Sequence, residues 1–172
     1  NGRMEKNIIL IGLMGTGKST VGRALAAALN WPLVDTDQRI EERAGKSIAE
    51  IFEREGEEVF RQRESQVLGE VLQKSKQVVV TGGGSVLRRE NRQLMRDRGV
   101  VIQLMATEEE LIRRLQEDQS RPLLRGGVAE RIRQLMKERE GLYDFAQIHV
   151  QTTGKSVRQV VEEIMKQLDA GQ

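Results

Sequence analysis

Residues 7–20 read NIILIGLMGTGKST, and their order decides the fold. NIILIG is short and apolar enough for a buried strand. Gly12, Gly15 and Gly17 break it, and Lys18 then opens KSTVGRALAAALN, an alanine-rich helix that Asn30 ends. Gly12, four residues, Gly17, Lys18 and Ser19 meet the phosphate-loop spacing in full, in the strand–turn–helix context the motif requires. Glycines there let backbone amides across Gly15, Thr16, Gly17, Lys18, Ser19 and Thr20 turn toward phosphate oxygens, and the helix N-terminus adds a favourable dipole. Lys18 is placed to reach the β- and γ-phosphates and Ser19 to hold magnesium. The alternative is a chance glycine turn. The expectation is a nucleoside triphosphate site. Regulatory GTPases, ATPases and small-molecule kinases share this loop, so the rest of the chain must separate them.

Outward from the loop, strands and helices alternate. PLVDTD reads as a short strand ending in acids, and QRIEERAG as a helix closed by Gly45. Ser47 and Glu50 form a capping box, and a longer helix is expected over Glu57–Lys74. QVVVT is a second buried strand, followed by a polar helix near Asn91–Asp97 and the strand VVIQLM. Thr107 and Glu110 form another capping box. QEDQSRPLLRGG shows no periodicity. A long helix is expected over Val128–Phe145, then the strand QIHVQT and a closing helix from SVRQVVEEIMKQL. Uniformly apolar strands between helices mean a parallel sheet covered on both faces.

The chain has 172 residues, enough for one domain with a real core, and no repeat or linker divides it. Its net charge of +2 gives no basic tail or aromatic-studded stripe, so no nucleic-acid partner is expected. With no cysteine there is no disulfide framework or thiolate metal site. One histidine, His149, rules out a multi-histidine centre and reads as structural. IILIGLM is too short to span a bilayer, and no signal peptide is recognised. Asn1–Arg3, before Met4, read as a cloning remnant. A cytoplasmic monomer without membrane partner is the expectation.

Asp35 and Asp37 close the second strand as DTD, where strand ends face the ligand crevice of such sheets. A spacing of two sends both side chains one way. One carboxylate suits a magnesium ion and its waters, the other a substrate hydroxyl and its proton. Turn and cap chemistry is the alternative. A second glycine run, VVVTGGGSV at 78–86, ends another strand in Thr81 rather than an acid. Arg139 shares a helix face with Leu135 and Leu142, and Arg61 starts a stripe with Leu68 and Leu72, with Glu64 three residues on. Each pairs with an anion or snorkels to the surface. Spacing does not single them out among 28 lysines and arginines. Arg121 lies in the aperiodic SRPLL stretch, as a covering arginine or in an ordinary exposed loop.

Taken together, GLMGTGKST, VDTD, GKSIAEIFEREGEEVFRQRE, VVVTGGGSV, SRPLL and REGLY make the chain similar to the shikimate kinases, almost end to end. The resemblance implies an α/β fold, a three-layer αβα sandwich of P-loop kinase type with a five-stranded parallel sheet ordered 2-3-1-4-5. It implies one domain over 1–172, with a substrate-binding region near 36–64 and a lid near 116–128. The implied reaction passes the γ-phosphoryl of MgATP to the 3-hydroxyl of shikimate, toward chorismate and aromatic amino acids. Asp37, Arg61, Gly82, Gly83, Gly84 and Arg139 match the family's shikimate site, with Asp37 as base and the arginines on the carboxylate. Phe52 and Phe60 match aromatics of the ring pocket. Ser19 and Asp35 match the Mg2+ environment, Lys18 and Arg121 the phosphate-stabilising pair, and Arg114 the arginine on adenine. Gln151 and Val157 stand where the family often has aspartate and proline.

Two rivals follow from the same residues. A gluconate or nucleoside-monophosphate kinase shares the fold, but a nucleotide acceptor calls for basic residues aimed at a second phosphate. A regulatory nucleotide-binding module has no use for Asp37, Arg61 and Arg139 together. The glycines of 82–84 are expected as a floor, where a side chain would intrude on the acceptor ring and backbone amides can donate to its oxygens.

Overall fold

The computed structural model describes residues 6–117 and 127–171. Its centre is a five-stranded, all-parallel sheet built from β1 (Asn7–Ile11), β2 (Leu33–Asp35), β3 (Val78–Val80), β4 (Gly99–Met105) and β5 (Ile148–Gln151). The spatial order is β2-β3-β1-β4-β5. This is the order the resemblance implied. The strand bearing the phosphate loop is therefore central, with Leu10 opposite Val80 on one side and Ile102 on the other.

Residue parity along the strands assigns the two cores. Ile9, Ile11, Val79 and Val101 face a core shared with Ile40, Ile51, Leu68, Met95, Leu111 and Ile132. The alternate residues Ile8, Leu10, Val78, Val80, Ile102 and Val150 face a second core with Val21, Leu25, Ile164 and Leu168. Period-two alternation with both faces apolar is what a sheet sandwiched between helix layers demands. Helix α1 (Lys18–Leu29) and helix α8 (Val157–Ala170) cover the second core. The other layer holds α2 (Thr36–Ala44), α3 (Ile48–Glu55), α4 (Glu57–Val71), α5 (Arg89–Arg98), α6 (Glu108–Glu117) and α7 (Val128–Glu138). Gly22 allows a close helix–sheet approach, since a Cβ there would lie 2.5 Å from Val80 Cγ2.

Most helix ends obey the expected signals. Asn30 ends α1 in the left-handed conformation (φ 56°), Gly45 ends α2, and Ser47 with Glu50 completes a reciprocal capping box. Thr107 Oγ1 accepts from Glu110 N at 3.2 Å, but the Glu110 carboxylate is engaged by two arginines. Three expectations change. The DTD strand is shorter: β2 stops at Asp35, and Thr36 and Asp37 already belong to α2. The long helix after residue 128 stops at Glu138, because Arg139–Phe145 turn back on themselves with Gly141 at φ 83°. Helix α4 ends at Val71, not Lys74. His149 is exposed on β5, its Nδ1 2.6 Å from Gln103 Oε1 on the neighbouring strand. Among the described residues, no helix is long and apolar enough to cross a membrane.

Candidate active site

All three loops at the C-terminal ends of β1, β2 and β3 open into one cleft of about 730 Å³. In an open parallel sheet this edge is where ligands bind. Met14, Gly15, Gly17, Lys18, Ser19 and Thr20 line it from the first loop, and Asp35 and Asp37 from the second. Gly82–Gly84 line it from the third, Phe52, Phe60, Arg61 and Glu64 from α3 and α4, and Leu135 and Arg139 from α7 and its end. Most of the residues singled out in the sequence thus share one cavity.

The phosphate loop is stiffened by its own backbone. Thr16 is buried, its hydroxyl donating to Leu13 O (2.8 Å) and its amide to the same oxygen (3.3 Å). Lys18 Nζ donates to Gly12 O (2.5 Å) and Leu13 O (3.2 Å), lying across the loop it would serve. Gly17 caps α1 with φ 94°, so no side chain stands before the amides of that helix's first turn. Those amides have no intrahelical acceptor and face an anion naturally. Arg114 is not in the cleft lining: it approaches the loop from behind, Nη1 donating to Gly15 O at 2.8 Å and Nε to Glu110 Oε2 at 2.7 Å.

Asp35 and Asp37 do not alternate along a strand. Asp35 is the N-cap of α2, its Oδ1 accepting from Gln38 N (3.1 Å), and Asp37 stands in the first turn. Cap chemistry and a place in the cleft therefore coexist at Asp35. Asp37 points into the cleft with Oδ1 buried and unpartnered among the described residues. Its pKa is raised to about 6, by burial first and then by Asp35, against the opposing pull of Lys18.

Arg61 and Arg139 reach the glycine run from opposite sides. Arg61 Nη1 donates to Glu64 Oε1 at 2.9 Å, and its guanidinium lies 5.1 Å from the Phe60 ring centre. Phe60 in turn stacks obliquely on the more exposed Phe52, with centroids 4.7 Å apart. Burial of Glu64 pushes its carboxyl upward while Arg61 opposes. Arg139, at the C-cap of α7, donates from Nη1 to Gly83 O at 2.6 Å. Neither arginine is a snorkelling surface residue. Thr81, where an acid was absent, donates its hydroxyl to Leu10 O (2.8 Å) and ties β3 to β1.

The glycine run also has a finer explanation. A Cβ on Gly82 would fall 2.5 Å from Asp37 Oδ1, and one on Gly84 2.6 Å from Arg61 Cζ. Those two glycines make room for the polar side chains themselves. At Gly83 a Cβ meets nothing nearer than Met14 N at 3.7 Å, so only there is the space toward the cleft the open question.

Several cleft residues carried no signal in the sequence. Leu87, Arg131 and Glu138 line it too, brought in by packing outside any motif, while Ile48 and Glu57 join it from within GKSIAEIFEREGEEVFRQRE without an assigned role. Arg131 precedes Leu135 by four residues on α7, the same spacing that marked Arg139. Arg121 and most of the 116–128 segment lie outside the described residues. At the other edge, Gln151 Oε1 accepts from Thr153 N (3.1 Å), and Val157 opens α8 half-exposed.

Chemically, an anion cradle, an unpartnered carboxylate and two arginines over a glycine floor suit transfer of a phosphoryl group to a hydroxyl of a small anionic acceptor. The comparisons agree. The shikimate kinase family model matches residues 14–169. The shikimate kinase of Geobacter metallireducens is 49% identical over 165 residues, covering 95% of this chain and 92% of the relative. That of Pelotomaculum thermopropionicum is 47% identical over 161 residues, covering 93% and 94%. The solved structure of shikimate kinase from Acinetobacter baumannii in complex with shikimate superposes with a TM-score of 0.90 at 37% identity, covering 99% of this chain and 96% of that one. The chain belongs to the shikimate kinase family.

Proposed function

We propose that this chain catalyses ATP-dependent phosphorylation of the 3-hydroxyl of shikimate, giving shikimate 3-phosphate and ADP on the way to chorismate. The observation that carries this is Asp37. Its carboxylate oxygen is buried and unpartnered in the same cleft as Lys18, Arg61 and Arg139. A buried acceptor without a donor is costly, and a substrate hydroxyl supplies the missing hydrogen bond.

Asp37 accepts the hydroxyl proton as the oxygen attacks the γ-phosphorus, the bond to the ADP oxygen breaks, and the proton leaves on the carboxylate. A pKa of about 6 keeps it mostly ionised at neutral pH yet basic enough to hold that proton. Arg61 and Arg139 take the ring carboxylate, for which planar guanidinium forks are suited. Phe52 and Phe60 wall the ring, and the 82–84 amides donate to its oxygens. Lys18, with Arg121 from the 116–128 lid segment, stabilises charge on the transferring group. Residues 36–64 supply the acceptor side, and Arg114 borders adenine.

Ser19 and Asp35 both line the cleft and are hard oxygen donors, so they fit Mg2+. Among the described residues no three carboxylate or imidazole groups converge on a cation site. That suits an ion held chiefly by nucleotide phosphates and water. When bound, Mg2+ supplies neutralisation of phosphate charge. The chain is taken to act as a cytoplasmic monomer on these two small molecules, without nucleic acid or membrane partner.

Gluconate or nucleoside monophosphate as acceptor is not favoured, given the family and the paired arginines. The test is ADP release from ATP with shikimate, gluconate and nucleoside monophosphates in turn. Turnover with shikimate alone is expected, and its absence would sink the proposal.

A further inference from the structure

The peptide between Gly15 and Thr16 is gripped at both ends. Thr16 N donates to Leu13 O, and Gly15 O accepts from Arg114 Nη1 at 2.8 Å, across 99 residues of sequence. The Thr16 amide, one of those expected to face phosphate, is turned to Leu13 O in this structure, and the peptide holds the turn from which Gly17, Lys18 and Ser19 project. Arg114 has its own anchor. Its Nε donates to Glu110 Oε2 at 2.7 Å, one turn back on α6. The Glu110 carboxylate is partly exposed, and its pKa is held down to about 2 by hydrogen bonds from Arg113 and then Arg114. A third contact, Arg114 Nη1 to Thr152 Oγ1 at 3.5 Å, brings the guanidinium against the turn after β5.

A guanidinium bonded only to one carbonyl can swing about its long stem. One also fixed at Nε has its plane set, so Nη1 presents to Gly15 O in a single orientation. We propose that Glu110 is a positioning residue for nucleotide binding: it aims Arg114 at the Gly15 carbonyl and so pre-sets the phosphate loop. The proposal rests on the loop being a nucleotide cradle. It adds that α6, which contributes nothing to the cleft lining, tunes affinity for the nucleotide and not for the acceptor. Arg113, 57% exposed, shares the carboxylate but does not reach the loop.

The experiment is a double-mutant cycle on ADP binding, measured by isothermal titration calorimetry, with steady-state kinetics alongside. Glu110→Gln keeps a glutamine-compatible capping position and side-chain length, so folding should survive, and melting temperature checks this. Glu110→Gln is expected to raise the ADP Kd about 5- to 10-fold and the ATP KM in step, with kcat and the shikimate KM within about twofold, consistent with loss of one charge-assisted orienting contact. Arg114→Met should raise the Kd at least as much, and the double variant should add little to Arg114→Met. Arg113→Gln should leave the Kd unchanged. An unaltered Kd in Glu110→Gln overturns the proposal, as does a fully additive double variant or an equal rise in both KM values. No ADP binding by the unsubstituted protein would instead overturn the nucleotide cradle itself, so the two failures are distinguishable.

Discussion

The two halves of the cleft solve opposite problems. On the phosphate-loop side, the polar groups are already engaged by the protein. Thr16 is closed onto Leu13, Lys18 onto the Gly12 and Leu13 carbonyls, and Arg114 onto Gly15. On the acceptor side, Asp37 Oδ1 and Glu64 Oε2 are buried without hydrogen-bond partners among the described residues, and Arg61 Nε has only the Glu57 carboxylate, 3.6 Å away. The first half is a stiff mould whose donors are mostly backbone amides. The second leaves carboxylate oxygens of Asp37 and Glu64 without a donor, which is where stability is surrendered for function. A nucleotide then fits a surface already in place, while the acceptor completes the hydrogen bonding of its half.

The largest break in that contrast is Asp37→Asn. Turnover should fall about 10²- to 10⁴-fold, the range for a lost general base, while ADP affinity measured by calorimetry stays within about threefold. The variant should also be more stable. Folding raises the Asp37 pKa from 3.8 to about 6, so the native state binds its proton more tightly than the unfolded chain. Asp37's own contribution to stability therefore falls as pH rises from 4 to 6, and above that range its buried carboxylate costs up to about 3 kcal/mol. Asparagine removes this cost, so the melting temperature at pH 7 should rise by several degrees, with the gap closing toward pH 4. In the wild type, kcat/KM for shikimate should decline below a pH near 6, as the base becomes protonated. Normal turnover in Asp37→Asn would leave the residue only an orienting role.

Arg139→Ala comes next. It should raise the shikimate KM about 10- to 100-fold with little change in the ATP KM, the size of one charge-assisted contact. An unchanged shikimate KM would mean that its bond to Gly83 O is its whole purpose. The glycine run gives the smallest and sharpest pair. Gly84→Ala drives a methyl into the Arg61 guanidinium and should raise the shikimate KM about 10-fold. Gly83→Ala meets no protein atom closer than 3.7 Å, so any rise in KM, about 2- to 5-fold, measures the acceptor lying on that floor. Equal effects at both positions would erase the distinction between them.

Much of this was legible in the sequence. The phosphate loop, the apolar strands and the capping residues are local signals, and they placed β1, α1 and most helix ends correctly. The two acids of DTD were identified as a pair, but by the wrong geometry. Asp35 caps a helix so that the chain has already left the strand by Asp37, and strand alternation does not apply. The arginines were ambiguous for a physical reason: Arg61 and Arg139 become special only when α4 and the end of α7 pack beside the 82–84 run. Glu110 was visible only as a capping residue. Its reach to the phosphate loop depends on α6 lying behind β1, a contact 99 residues long in sequence between Gly15 and Arg114. Long-range packing of this kind leaves no periodic trace.

The most direct test of the central claim is the identity of the product. ³¹P and ¹H NMR of shikimate incubated with MgATP and the purified protein should show one new phosphomonoester, coupled to the proton on carbon 3, growing in step with ADP. Inorganic phosphate as the sole new phosphorus species, or no shikimate-dependent ADP at all, would contradict it.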